Sequence, residues 1–195
     1  MKLSYFAFLA VATAALTACG GGGGGGSTTP LTASDQSLAA YVGTYKTTCN
    51  LVNTFDPSFN HAELGILVVN ADSNVTVSSQ SFDTPKPATT SGNYCAASAT
   101  ITEDITVSGT VALLPGTKTI TAPVSTLKSG TVKTAEFTFT ALKISKGSIS
   151  GTLPAFGSKG KAGFLVEGNK VYVLSGTRDA DGLPGSFSKT VLIKQ

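Results

Sequence analysis

Between residues 37 and 195, short runs rich in Thr, Val, Ile and aromatic residues alternate with clusters of Gly, Pro, Asn and Asp. Such runs are typical of β-strands that are bounded by turns. No segment keeps apolar residues at the i, i+3, i+4, i+7 spacing of an amphipathic helix through three turns. The sequence therefore predicts an all-β domain.

We predict about ten strands from these runs and their turn signals. They are residues 41–49, 62–69, 74–82, 99–109, 117–122, 131–144, 148–153, 162–167, 170–175 and 189–194. Short connections imply antiparallel pairing, and a sheet of this size must close or stack to protect its edges. We expect an antiparallel up-and-down β-barrel, with a β-sandwich as the alternative.

Two local patterns define the strand geometry more closely. Gly168-Asn169 separates two alternating runs, and this dipeptide predicts a two-residue hairpin turn because such turns require positive φ. Within the run 131–144, the apolar residues of the segment 136–144 change from odd to even positions after Ala141. A β-bulge near Ala141 or Leu142 would keep both halves of this strand facing inward.

The N-terminal segment carries a targeting pattern. Lys2 is followed by an uncharged apolar run that ends in Leu16-Thr17-Ala18-Cys19, and the run is too short for a spanning helix. The order Leu-Thr-Ala-Cys resembles the lipobox of bacterial lipoproteins. That resemblance implies that residues 1–18 are a signal peptide and that Cys19 becomes the lipidated first residue. An ordinary secretory signal is the alternative.

Seven glycines at 20–26 and a polar stretch follow Cys19. Such a segment has almost no side chains to bury, so we expect residues 19–37 to form a flexible tether and residues 38–195 a single β domain. By resemblance to Gram-negative lipoproteins, Gly20 after the lipidated cysteine favours the outer membrane. The expected location is the cell envelope, and the expected membrane contact is the lipid anchor.

Cys49 and Cys95 remain as an even pair once Cys19 carries lipid. In an oxidising compartment such a pair predicts a disulfide. A redox-active pair is the alternative, but it usually has a Cys-x-x-Cys motif, which is missing here.

Charge is unevenly distributed along the chain. Acidic residues outnumber lysines in residues 31–110, and lysines outnumber acidic residues in 111–175. A basic face that could meet anionic lipid or polysaccharide would be built from Lys143, Lys146, Lys159 and Lys161. Alternatively, these lysines protect strand edges. Nucleic acid is not an expected partner, since the chain has no arginine cluster.

His61 is the only histidine in the chain, which limits the catalytic options. With Glu63 it places two ligand-type side chains on one side of a strand, but a zinc site needs three or four protein ligands. A hydrolase that uses His61 as base is our least favoured hypothesis. Asp179-Ala180-Asp181-Gly182 is similar to part of a calcium loop but lacks its closing glutamate, which favours a turn. We predict no catalytic residue, no metal site and no cofactor.

Gly43-Thr44-Tyr45 resembles the Gly-x-Trp opening of lipocalin-type barrels, with Tyr45 in place of tryptophan. The resemblance implies a barrel whose floor this aromatic residue closes. Our first functional hypothesis is a non-catalytic lipoprotein that acts as a membrane-tethered binding or assembly module, with an envelope protein as partner. The second is a lipocalin-like barrel that carries or senses a small hydrophobic ligand. Tyr45 and the four lysines are the predicted contact residues.

Overall fold

A computed structural model of the chain describes residues 37–52, 61–84, 94–121, 128–148 and 154–195. These residues form one short 3₁₀ helix, Leu38–Tyr41, and nine β-strands. The strands are β1 Gly43–Thr47, β2 Asn50–Val52, β3 His61–Val69, β4 Asn74–Phe82, β5 Ile101–Ile120, β6 Gly130–Lys146, β7 Lys159–Glu167, β8 Lys170–Arg178 and β9 Pro184–Lys194.

All nine strands belong to one antiparallel sheet that closes on itself. From β3 to β9, each strand pairs with the next one along the chain, and β1 closes the ring by pairing with both β3 and β9. The short strand β2 pairs with β3 alongside β1, so the ring itself has eight strands. The predicted up-and-down, barrel-like arrangement is confirmed, and the described strands do not divide into the two sheets of a sandwich.

The strand β5 merges two runs that the sequence separates. The sequence predicts separate strands at 99–109 and 117–122, but β5 continues through Leu114-Pro115-Gly116, and its register with β6 shifts between Leu113 and Thr117. A proline lacks a ladder N–H and is tolerated at a bulge, and Gly116 takes up the positive φ of 91°. The prediction of two strands was therefore wrong.

Both local predictions about strand geometry are confirmed. Ser108 pairs with Ala141 and Gly109 pairs with Phe139, so Thr140 is the extra residue of a bulge directly beside the predicted position. Gly168 and Asn169 form the two-residue turn of the β7–β8 hairpin, and Gly168 has a φ of 60°. Of the predicted strand 148–153, all but the first residue lies outside the described residues.

The predicted disulfide is present between Cys49 and Cys95, whose Cα atoms are 5.8 Å apart. Cys49 lies between β1 and β2, and Cys95 lies in the turn that precedes β5. The bond therefore ties the first part of the ring to the connection between β4 and β5. Cys19, the predicted signal peptide and most of the predicted tether lie outside the described residues.

Candidate functional site

The interior of the ring contains an apolar cavity of about 170 Å³. Leu67 and Val69 on β3 line it, as do their register partners Val77 and Val75 on β4. Side chains two residues apart on a strand point to the same face. The period-two pattern of the sequence thus directs one apolar row from each strand into the barrel.

Large and small residues together shape this cavity. On the opposite wall, Phe137 and Phe164 bring aromatic rings to the lining, while Ala135 and Ala162 face each other across β6 and β7. Gly163 also lines the cavity, and an added Cβ there would lie 2.5 Å from Leu174 Cδ1. The space beside Gly163 is therefore filled by Leu174, whereas Ala135 and Ala162 contribute only short side chains to this wall.

The cavity lining is uncharged. None of its described residues is acidic or basic, and most are aliphatic or aromatic; Ser175 and Ser188 add hydroxyl groups. The hydroxyl of Tyr45 donates to the carbonyl oxygen of Tyr41 at 2.7 Å. Burial raises the pKa of this tyrosine, and Tyr41 raises it further. Such a lining suits a neutral, apolar molecule.

Tyr45 is the one predicted contact residue that lies at the cavity. Its side chain is 3% exposed and packs in a core cluster with Val69, Val171 and Leu192. The Nζ atom of Lys194 lies 5.8 Å from the centre of its ring. The tyrosine therefore forms part of the interior wall, as expected for an aromatic residue near the start of the first strand.

Polar residues follow on the same inward face, further along the strands. His61 and Glu63 lie on β3 in phase with Leu67, and His61 Nε2 lies 2.5 Å from Glu63 Oε1. Thr47 Oγ1 accepts a hydrogen bond from Gly65 N–H at 2.9 Å. The interior therefore changes from an apolar half to a polar half along the barrel axis.

In this polar half, Ser81 is hydrogen-bonded to a carboxylate. Ser81, the register partner of Glu63, donates to Glu103 Oε2 at 3.3 Å. A serine hydrolase needs the nucleophilic hydroxyl to donate to the histidine base, whereas the Nε2 atom of His61 faces a carboxylate. The contact with Glu63 orients the half-buried His61 ring, and the hydroxyl of Ser81 binds Glu103.

The predicted turn at Asp179-Ala180-Asp181-Gly182 is confirmed, and its carboxylates bind a lysine. Lys118 Nζ lies 2.6 Å from Asp179 and 2.9 Å from Asp181. Burial alone would raise the pKa of Asp181, but the Leu183 N–H and the lysine hold it below its ordinary value. Among the described residues, no three or more potential metal ligands cluster together.

The four lysines of the predicted basic face lie in different settings. Lys159 binds Glu136 at 2.8 Å, and Lys161 Nζ donates to the carbonyl oxygen of Asp181 at 2.9 Å. Lys143 and Lys146 are exposed on β6. Thr138 is the register partner of Lys159, and Lys143 lies five residues further along β6. Lys143 is therefore roughly 15 Å along the strand from the position of Lys159.

Comparison with known proteins finds no matching family model, no similar curated protein and no similar solved structure. Within the described ranges, no helical segment has the length and hydropathy of a membrane span. The candidate site therefore rests on the geometry of this chain, and the interior cavity is its most specific feature.

Of the residues that line the cavity, only Tyr45 was predicted from the sequence as a contact residue. The available signal was the inward row of alternating residues, such as Phe137 and Phe139 on β6 or Val171 and Val173 on β8. That signal predicts which side chains face the interior. It does not predict a cavity, because the volume left between the walls depends on how the strands tilt and stagger around the ring.

Proposed function

We propose that this protein is a non-catalytic, lipid-anchored binding protein of a bacterial cell envelope, and that its barrel interior holds a small apolar molecule. The observation that carries the proposal is the uncharged apolar cavity. A barrel of about eight strands is wide enough either to be filled by its own side chains or to hold one small ligand. Here the walls leave space for a ligand.

The cavity volume limits the ligand class. A dry cavity of about 150 Å³ lined by aliphatic and aromatic side chains binds benzene-sized molecules, and pockets for drug-sized ligands start at about 300 Å³. At about 170 Å³, the interior accommodates a single ring or a short segment of an acyl chain. The proposed ligand is therefore a small neutral hydrocarbon-like molecule, or the apolar end of a larger one.

The envelope location rests on two features of the chain. The order Leu16-Thr17-Ala18-Cys19 resembles a lipobox, and a disulfide such as Cys49–Cys95 persists in oxidising compartments. Anchoring by two or more acyl chains is stable, because each buried methylene contributes about 0.8 kcal/mol. An assembly role with an envelope protein remains the other form of the binding hypothesis, and the cavity favours the small ligand.

Native mass spectrometry of the gently extracted chain tests this proposal. We expect an intact mass that includes acyl groups on Cys19 and a further mass that is lost on collisional activation. A toluene titration followed by thermal unfolding complements it, since a ligand that binds only the folded state raises the unfolding temperature. A chain with no releasable mass and no toluene-dependent stabilisation would refute interior binding, and a chain without acyl groups would refute the anchor.

A further inference from the structure

One end of the barrel brings together the chain segment that follows the tether, a hairpin and the end of β9. The ring of Tyr41 in the 3₁₀ helix packs edge-on against Phe164 on β7, with 5.1 Å between the ring centres. The N–H of Lys194 donates to the carbonyl oxygen of Asn169 in the β7–β8 turn at 2.8 Å. We call this end the tether rim and define it by Leu38, Tyr41, Val166, Lys170 and Lys194.

The apolar wall of the cavity reaches the surface at the tether rim. Leu38, Tyr41 and Val166 all line the cavity, and Val166 is 37% exposed. Leu38 lies directly after Ser37, the residue at which the proposed tether ends. A lipid anchor on this tether would therefore attach the barrel to the membrane at the end where the cavity wall is exposed.

Lysines accompany these apolar residues at the rim. Lys170 and Lys194 are exposed, and neither forms an ion pair with another described residue. The register partner of Lys170 is Glu167, but Glu167 Oε1 binds Lys128 at 2.5 Å. Exposed apolar groups beside unneutralised lysines suit the surface of an anionic bilayer, which attracts basic groups and admits apolar ones.

We propose that the tether rim docks on an anionic bilayer, so that the cavity exchanges its apolar ligand with the membrane. This inference rests on the proposed anchor and on interior binding. Docking on a protein partner is the alternative for this surface. In that case the tether rim would not contact lipid.

The chain contains no tryptophan, so a single introduced indole reports on its own position. Val166→Trp places the reporter at the tether rim. Phe156→Trp is the matched control, because Phe156 is 71% exposed and precedes β7 at its opposite end. The nine residues of β7 separate its two ends by about 26 Å.

The lipidated variants are reconstituted into phosphatidylglycerol-containing vesicles whose acyl chains carry bromine, which quenches indole fluorescence on contact. We expect the Val166→Trp variant to lose about half of its fluorescence, because docked apolar groups sit about 5 to 10 Å into the headgroup boundary. The Phe156→Trp variant should stay near its unquenched intensity. Adding Lys170→Gln and Lys194→Gln to Val166→Trp, or using uncharged phosphatidylcholine, should reduce the quenching.

Equal quenching of the two reporters, or none, would overturn rim docking. Toluene binding is measured by thermal unfolding of the lipidated chain that carries neither tryptophan, because Val166 itself lines the cavity. Toluene stabilisation without quenching would leave interior binding intact and reject only the docking. Quenching without toluene stabilisation would reject ligand exchange together with interior binding. A chain that is not retained by the vesicles would reject the anchor and the docking together.

Discussion

Substituting Ala135 by leucine distinguishes a hollow barrel from a filled one. Ala135 is 2% exposed and lines the cavity, and leucine adds three carbon atoms. Each newly buried methylene stabilises by about 0.8 kcal/mol, so filling empty space raises the free energy of unfolding by up to about 2 kcal/mol. In an already packed core the same change costs about 1 to 3 kcal/mol. The two accounts therefore predict opposite signs.

Ala62→Leu is the matched control. Ala62 is 0% exposed, pairs with Leu51 and Phe82, and does not line the cavity. We expect it to destabilise by about 1 to 3 kcal/mol. Both variants are made in a Cys19→Ser background and compared by urea unfolding, where a changed midpoint at constant slope reports stability. Ala135→Leu should also abolish stabilisation by toluene. Equal destabilisation by both leucines would refute the hollow interior.

Three further predictions concern the fold. Replacing Cys49 and Cys95 together by serine should lower the free energy of unfolding by about 4 kcal/mol, because the bond spans 46 residues; guanidinium unfolding with and without reductant measures this, and no difference would contradict it. Gly109→Ala should lower the melting temperature, since its Cβ would overlap a carbonyl of β6; an unchanged melting temperature would contradict the register there. Because the folded state lowers the pKa of Asp181, this carboxylate should stabilise the fold fully above its ordinary pKa of 3.8. The stabilisation should be lost as the pH falls through the lower pKa of the folded state. Lys118→Gln should remove part of this decline, and an identical pH profile would contradict the pairing.

Much of the fold could be predicted because its signals are local. The hairpin at Gly168-Asn169 follows from the positive φ that its turn requires. The bulge at Thr140 follows from a change of apolar phase along one strand. The predicted gap between strands 99–109 and 117–122 was wrong for the opposite reason, since pairing with β6 on both sides of Pro115-Gly116 overrides the local turn signal.

The candidate site was harder to predict, because it depends on non-local geometry. Alternation identifies Val107 and Phe137 as inward residues, but only the closed ring shows that their side chains leave a cavity between them. The partners of Lys118 are likewise unreadable from sequence, since Asp179 lies 61 residues away. Lipidation of Cys19 stays a prediction from the sequence alone.

The most direct test of interior binding is a methyl NMR titration of the Cys19→Ser chain with toluene. We predict shifts of the methyl signals of Val77, Val107 and Val173, which line the cavity. The methyl signal of Ala62, which is buried but does not line the cavity, should not move. Unchanged valine signals at saturating toluene, or shifts confined to methyl groups outside the cavity, would contradict the proposal that the barrel binds an apolar ligand in its interior.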